Sequence, residues 1–192
     1  MYIPSPRPYD EQSAEAIPWH TTFIGQFMQH NYWIYSIIDR VMTENPQIQS
    51  IIEIGTGCGG ITSVFGLWGV ARGIKVTTID LQSVFHNPII FEKLGVEYLQ
   101  LDVFDPVTEE EILKRIDNKP TWVFCDGGSK CRELGQFAPK IPETSIISAH
   151  DLGTEFIHDN CAKDLCDSSI IEPYHPEWWM EMNVQLALYK KL

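Results

Sequence analysis

The segment Glu53-Ile54-Gly55-Thr56-Gly57-Cys58-Gly59-Gly60 is the most informative part of this sequence about its architecture. It continues the apolar run Ser50 to Ile54, which is typical of a fully buried strand. It precedes a helical pattern whose apolar face includes Ile61, Val64 and Phe65. Glycines between a strand and a helix permit a tight turn and let backbone amides approach a ligand at the helix N-terminus. The stretch therefore predicts a nucleotide-binding strand, turn and helix.

Apolar runs and helical patterns continue to alternate beyond this unit. One later helix carries a capping-box pattern, with Thr108 at its start and Glu111 three residues on. Strands that alternate with helices indicate right-handed crossovers and a parallel sheet with helices on both faces. The further predicted strands are Lys75 to Asp80, Val96 to Leu101, Thr121 to Asp126 and Ser145 to Asp151.

The two ends of the chain depart from this alternation. Residues Met1 to Pro18 are rich in proline and predict an extended arm. Apolar positions with helical spacing then predict a helix within Thr22 to Thr43. Near the other end, Ile170 to Glu172 and Val184 to Tyr189 predict two antiparallel strands at a sheet edge. The pattern indicates one α/β domain with a helical N-terminal extension.

Acidic residues follow the carboxyl ends of the predicted strands, the edge of an open parallel sheet where ligands bind. Asp80 lies about 20 residues beyond Gly60, the separation at which an acid accepts hydrogen bonds from ribose hydroxyls. Asp102 follows the third strand, and Asp126 and Asp151 end the fourth and fifth. We expect these carboxylates to meet in one crevice beside the glycine-rich turn.

These residues resemble the motifs of the class I S-adenosylmethionine-dependent methyltransferases. In that family an acid stands two residues before the first glycine, as Glu53 does before Gly55. Acids also follow the second and third strands, where this chain has Asp80 and Asp102. The motif Gly55-x-Gly57-x-x-Gly60 alone is a weak signal, but its position between a strand and a helix strengthens it.

The resemblance extends from about Ile51 to the C-terminus. It implies a Rossmann-like, doubly wound, mostly parallel seven-stranded sheet with an antiparallel last strand. The segment Gln185 to Lys190 resembles that last strand. On this basis we expect residues 1–45 to form the N-terminal arm and helix, and residues 46–192 to form the Rossmann-like domain.

The resemblance also implies the cofactor S-adenosylmethionine. In the family the glycine loop holds the methionine portion, the second acid holds the ribose, and the third approaches the adenine amine. An acidic loop suits a sulfonium cation better than it suits a pyrophosphate. The implied cofactor-binding residues are Glu53, Gly55, Thr56, Gly57, Gly59, Asp80, Asp102, Val103 and Asp126.

The ends of the fourth and fifth strands are similar to those of the cephalosporin-hydroxylase-like and catechol-type O-methyltransferases. There, carboxylates hold a divalent cation such as Mg²⁺, which binds substrate oxygens and lowers the pKa of the attacking hydroxyl. Asp126 and Asp151 are the implied ligands, with His150 as a third donor. The chain departs from these branches at Gly128 and at His150 itself. Without a metal, His150 is the predicted general base and Lys130 a second catalytic candidate.

The function predicted from these features is methyl transfer from S-adenosylmethionine to an oxygen of a small-molecule acceptor. An NAD(P)-dependent oxidoreductase is the alternative from another enzyme class, because Gly55, Gly57, Gly60 and Asp80 also fit a dinucleotide fingerprint. A noncatalytic methyltransferase-like module that retains the nucleotide pocket is the third hypothesis.

The overall charge argues against anionic partners. The chain of 192 residues has a formal net charge of −12, and 44% of its residues are hydrophobic. This apolar content is ample for a core, whereas the acidic surface repels phosphate groups. We therefore expect neither nucleic-acid nor membrane partners.

The sequence also allows predictions about the location of the protein and the state of its cysteines. The sequence shows no secretory leader and no apolar stretch long enough to span a membrane, so a cytoplasmic location is expected. Its five cysteines, an odd number without paired spacing, predict reduced thiols rather than a disulfide framework. The proline-rich arm and the aromatic segment after it are compatible with burial in a homodimer.

Overall fold

A computed structural model describes residues 3–4, 21–28, 30–31, 33–82, 88–179 and 184–192. Most of the predicted arm Met1 to Pro18 therefore lies outside the described residues. Within them, no helix is long and apolar enough to cross a bilayer.

A seven-stranded sheet forms the centre of the molecule, in the order β6-β5-β4-β7-β8-β10-β9. Strands β4 to β8 pair in parallel, whereas β10 pairs antiparallel with both β8 and β9. The predicted mostly parallel sheet with an antiparallel last strand is thus confirmed. The strands are β4 (Ser50–Ile54), β5 (Lys75–Asp80), β6 (Val96–Gln100), β7 (Thr121–Cys125), β8 (Ile146–Ala149), β9 (Ile171–Pro173) and β10 (Ala187–Lys191).

Helices cover both faces of the sheet. Because side chains alternate along a strand, Trp122 and Phe124 of β7 enter one hydrophobic cluster, whereas Val123 and Cys125 enter the other. The first cluster includes α1 and α2, and the second includes α4 and α5. The helices are α1 (Ile34–Glu44), α2 (Gly60–Arg72), α3 (Pro88–Leu94), α4 (Pro106–Ile116), α5 (Lys130–Phe137), α6 (His158–Cys161) and α7 (Lys163–Asp167), with a 3₁₀ turn at Pro176–Trp178.

The N-terminal region differs from the helix predicted over Thr22 to Thr43. Only Ile34–Glu44 is helical. Before it, β2 (Thr21–Phe23) and β3 (Gln26–Met28) form an antiparallel hairpin, and β1 (Ile3–Pro4) extends this hairpin to a three-stranded sheet. The turn of the hairpin uses Gly25 at φ +79°, a conformation that interrupts a helix and favours glycine.

The cysteines also differ from the prediction. Cys131 of α5 and Cys161 of α6 form a disulfide, with their Cα atoms 4.7 Å apart. The two residues are 30 positions apart in the chain. Their pairing depends on the packing of α5 against α6 and is not visible in local spacing. The expectation of reduced thiols at these two positions is therefore wrong.

Candidate functional site

A cavity of about 440 Å³ opens at the carboxyl ends of the parallel strands. Its volume lies in the range of small-molecule sites. Every residue predicted as a site residue from the sequence lines it. These residues are Glu53, Gly55, Thr56, Gly57, Gly59, Asp80, Asp102, Val103, Asp126, Lys130, His150 and Asp151.

The glycine-rich turn brings the ends of β4 and β7 into close contact. The Asp126 amide donates a hydrogen bond to the carbonyl of Ile54 at 2.8 Å. Gly55 adopts φ +91°, and a Cβ at this position would lie 2.3 Å from the Asp126 carbonyl oxygen. Only glycine therefore allows this approach, which places the Asp126 side chain beside the turn.

Asp80 connects the same turn to the end of β5 by a hydrogen bond. Its Oδ2 accepts a hydrogen bond from the Gly57 amide at 2.9 Å, and its Oδ1 accepts one from the Gln82 amide at 3.0 Å. Each carboxylate oxygen has a second lone pair, so both retain capacity for a ligand hydroxyl. The arrangement fits the ribose-binding role predicted for Asp80.

Apolar side chains line the cavity beside Asp80. Leu81 is 63% exposed and Leu101 is 38% exposed, and both line the cavity with Val103. Next to them, Asp102 accepts a hydrogen bond from the Phe104 amide at 2.9 Å. This part of the cavity therefore combines exposed apolar side chains with the carboxylate of Asp102.

Glu53 lies at the closed end of the cavity and is almost fully buried. Burial raises the pKa of Glu53 to about 8, although hydrogen bonds to Thr62 and Thr78 oppose this change. The Thr62 hydroxyl donates to Glu53 Oε2 at 2.5 Å. Near pH 7 the side chain is therefore mostly protonated, and a bound cation would favour its ionised form.

A polar cluster occupies the other side of the cavity. We use this name for His30, Asp126, Lys130, His150, Asp151 and Glu155, which all line it. Lys130 Nζ lies 2.8 Å from Asp151 Oδ2 and 2.6 Å from Glu155 Oε2. It also lies 3.7 Å from Asp126 Oδ1. The lysine thus links the carboxylates after β7 and β8 through one buried ammonium group.

The two histidines of the cluster both contact Asp126. His30 Nε2 lies 2.7 Å from Asp126 Oδ2, and His150 Nδ1 lies 3.3 Å from Asp126 Oδ1. His150 Nδ1 also lies 3.1 Å from Asp151 Oδ1. The two imidazole rings are 4.4 Å apart between centroids. Asp126 is therefore the residue on which the cluster converges.

The charges of the cluster depend strongly on one another. Burial alone would lower the pKa of His150, but Asp126 and Asp151 outweigh it and raise this pKa to about 10. Burial would raise the pKa of Asp126, yet the neighbouring histidines hold it well below its usual range. By contrast, burial and the charge of His150 lower the pKa of His30. At neutral pH His150 is thus cationic, and His30 is neutral.

This charge state bears on the general-base role predicted for His150. A general base must carry a free lone pair, whereas a protonated His150 donates hydrogen bonds to two carboxylates. In the described arrangement His150 and Lys130 are hydrogen-bond donors and positive charges. The general-base role of His150 and the catalytic role of Lys130 stay predictions.

Sequence reasoning missed two members of the cluster. His30 follows the β2–β3 hairpin, which the sequence analysis assigned to a helix, and no motif surrounds it. It reaches the sheet because Met28 packs on Gly60, where an added Cβ would lie 2.4 Å from Met28 Cβ. Glu155 stands four residues after Asp151 in a loop and carries no recognisable signal.

This chain is similar to solved structures in its fold, whereas the comparisons of its sequence found no match. No protein-family model matches the chain, and no curated protein matches it. Among solved structures, an apo structure of CmcI gives a TM-score of 0.73 at 14% identity, covering 98% of this chain and 86% of that chain. A Mg-SAM structure of CmcI gives 0.66 at 14% identity, covering 98% and 87%.

Two further structures extend the comparison. PaMTH1, a methyltransferase from Podospora anserina with bound SAH, gives a TM-score of 0.54 at 11% identity, covering 83% of this chain and 78% of that chain. A Plasmodium falciparum protein assigned as a ribosomal RNA methyltransferase gives 0.53 at 13% identity, covering 84% and 97%. At such identities the likeness concerns the fold. The chain therefore has the fold of the class I S-adenosylmethionine-dependent methyltransferases.

Proposed function

We propose that this protein transfers the methyl group of S-adenosylmethionine to an oxygen of a small-molecule acceptor. The observation that carries the proposal is the single cavity that joins two chemically different halves. One half consists of the glycine turn with Glu53 in β4, Asp80 at the end of β5 and Asp102 after β6. The other half is the polar cluster after β7 and β8.

The first half has the features that the cofactor requires. The turn presents backbone amides, Asp80 retains acceptor capacity for ribose hydroxyls, and Leu81 with Leu101 offers apolar surface to a purine. Glu53 can ionise beside a positively charged amino acid portion. The bound cofactor would supply an electrophilic methyl group, while the chain fixes its orientation.

The second half can bind and activate an acceptor hydroxyl. The cations Lys130 and His150 would stabilise an oxyanion and so lower the pKa of a hydroxyl beside them. Asp126 and Asp151 hold these two cations in place. A divalent cation bound at Asp126 and its neighbours would supply Lewis-acid chemistry to the same oxygen.

The charge and the size of the cavity support a small acceptor. A cavity of about 440 Å³ has limited room beyond a nucleoside cofactor. The net charge of −12 disfavours an RNA substrate, although one protein with this fold is assigned to ribosomal RNA. A compact, uncharged or cationic molecule with a hydroxyl group fits both observations.

Calorimetry with S-adenosylhomocysteine tests the cofactor half. We expect binding that Asp80→Ala weakens by about 1–3 kcal/mol, because charge-assisted hydrogen bonds are lost. Asp39→Ala, at an exposed carboxylate of α1, is the matched control and should bind as the wild type does. Binding of NAD in place of S-adenosylhomocysteine would instead support an oxidoreductase.

Turnover tests the acceptor half. Candidate phenols and alcohols are incubated with S-adenosylmethionine, and released S-adenosylhomocysteine is measured. Asp126→Asn should lose most turnover and much less of the cofactor affinity, since it disrupts the polar cluster on the acceptor side of the cavity. Equal loss of both properties would contradict an acceptor-side role for Asp126. Cofactor binding without turnover on any acceptor would support a noncatalytic module.

A further inference from the structure

The polar cluster contains a set of potential metal ligands that combines the predicted donors Asp126 and His150 with His30, which the sequence did not predict. One donor atom from each of His30, Asp126 and His150 lies within 4.8 Å of the other two. These residues come from three separate parts of the chain: the segment after β3, the end of β7 and the end of β8. Convergence from such distant positions is a property of the folded molecule.

The predicted carboxylate pair is less suited to a metal ion than this set. Lys130 Nζ lies 2.8 Å from Asp151 Oδ2 and is only 5% exposed, so the charge of Asp151 is already compensated. Mg²⁺ prefers oxygen ligands. With Asp151 engaged, the donors that remain are mainly nitrogen.

His30 gives an independent indication of a ligand. Its Nε2 contacts Asp126, while its Nδ1 is buried and has no hydrogen-bond partner among the described residues. Buried polar atoms without a partner are uncommon, and each calls for an explanation such as an ion or bound molecule. One donor atom of this ring already lies within 4.8 Å of a donor atom of His150, a separation that one shared ion can bridge.

We propose that His30, Asp126 and His150 form a site for a late first-row divalent transition metal, such as Fe²⁺, Co²⁺ or Zn²⁺, in preference to Mg²⁺. Two imidazoles with one carboxylate favour these ions and leave coordination positions open for acceptor oxygens. A ligating imidazole is neutral, so binding of the ion would release the proton that His150 carries in the metal-free cluster. The proposal deepens the proposed function by naming the class of metal and its ligands. It also makes the N-terminal hairpin part of the site, because the segment after β3 supplies one ligand.

Titration of chelator-treated protein, prepared without a histidine tag, tests the proposal. Co²⁺ binding is followed by visible absorption, and Mg²⁺ binding by calorimetry. We expect Co²⁺ to bind at least about tenfold more tightly than Mg²⁺. His30→Gln and His150→Gln should each weaken Co²⁺ binding at least about tenfold. Asp151→Asn should change it less than either.

The control is His175→Gln, which alters a histidine that pairs with Glu44 and Glu177 away from the cavity. It should bind Co²⁺ as the wild type does. Circular dichroism and thermal unfolding establish that each variant is folded. If His30→Gln is unstable, the metal preference is measured on the wild type instead. Co²⁺ should then raise its Tm more than Mg²⁺ does at the same concentration.

Two results would overturn the proposal. One is equal affinity of the wild type for Co²⁺ and Mg²⁺. The other is unchanged Co²⁺ binding by folded His30→Gln. Calorimetry with S-adenosylhomocysteine on the same preparation keeps the two proposals separate. Metal binding without cofactor binding would refute methyl transfer alone, and the reverse result would refute the metal site alone.

Discussion

Glu53 is a carboxyl group whose ionisation opposes folding. Burial raises its pKa from 4.5 to about 8, so between these pH values the folded state holds a proton that the unfolded state has lost. The contribution of Glu53 to the free energy of unfolding should therefore fall as pH rises from about 4.5 to about 8. Glu53→Gln retains an oxygen acceptor for Thr62 and cannot ionise.

We expect Glu53→Gln to gain stability relative to the wild type across that pH window, by up to about 5 kcal/mol. Urea denaturation at pH 5 and pH 8.5 measures the difference. Glu92→Gln, at an exposed carboxylate of α3, should give a difference that does not change with pH. A pH-independent difference for Glu53→Gln as well would contradict the raised pKa.

Single residues also show where sequence reasoning succeeded and where it stopped. Asp80, Asp126 and Asp151 could be located because the end of a parallel strand has a known position relative to a ligand. The charge state of His150 could not, since it depends on two carboxylates and on burial. His30 lay beyond prediction because its contact with Asp126 spans 96 positions of the chain.

Among the elements, the β2–β3 hairpin depends on its contact with the start of α2. A Cβ at Gly60 would lie 2.4 Å from Met28 Cβ and 2.8 Å from Met28 Cα. Gly60→Ala should therefore displace the hairpin and destabilise the protein by about 1–3 kcal/mol. It should also weaken Co²⁺ binding, because His30 moves with the hairpin.

Thermal unfolding compares Gly60→Ala with a matched glycine replacement in another helix. Gly135 of α5 has nothing within 4 Å of an added Cβ, so Gly135→Ala should be neutral or stabilising by up to about 1 kcal/mol. Equal stability of the two variants would show that the hairpin does not depend on this contact.

The disulfide between α5 and α6 gives a second prediction about elements. It closes a loop of 30 residues, and loss of such a link costs about 3.6 kcal/mol by loop entropy. The double variant Cys131→Ser and Cys161→Ser should therefore unfold at a lower temperature than the oxidised protein. Cys166→Ser should change the unfolding temperature much less. Reaction of all five cysteines with a thiol reagent in unreduced, unfolded protein would disprove the link.

Element boundaries were harder to predict than element types. Helix α4 was expected to begin with a capping box at Thr108, but Asp105 is its N-cap and accepts a hydrogen bond from the Val107 amide at 2.7 Å. Pro106 then occupies the first turn. Two capping patterns were adjacent in the sequence, and the burial of Thr108 in the fold decided between them.

The net charge of −12 on the protein predicts weak interaction with nucleic acids. We expect a fluorescently labelled RNA oligonucleotide to show no change in anisotropy at physiological ionic strength. Lower salt should not produce binding either, because the 14 Lys and Arg side chains are outnumbered by 26 Asp and Glu and cannot displace many counterions from the RNA. Micromolar binding with a steep salt dependence would instead favour an RNA acceptor.

The overall architecture was predictable because its determinants are local. Each apolar run became a strand of the sheet, and the glycine turn fixed the position of the cavity. The three-stranded N-terminal sheet was not predicted, since its strands are only two or three residues long. Such short strands carry too little periodicity to distinguish them from a helix.

The position of β10 has a consequence for biosynthesis. This strand lies between β8 and β9, and β9 joins the sheet only through it. During translation β9 leaves the ribosome before its attachment surface exists, and the edge of β8 stays open until the final strand emerges. The nascent polypeptide thus carries an unprotected strand edge, a recognised starting point for aggregation, until β10 has left the ribosome and paired with β8.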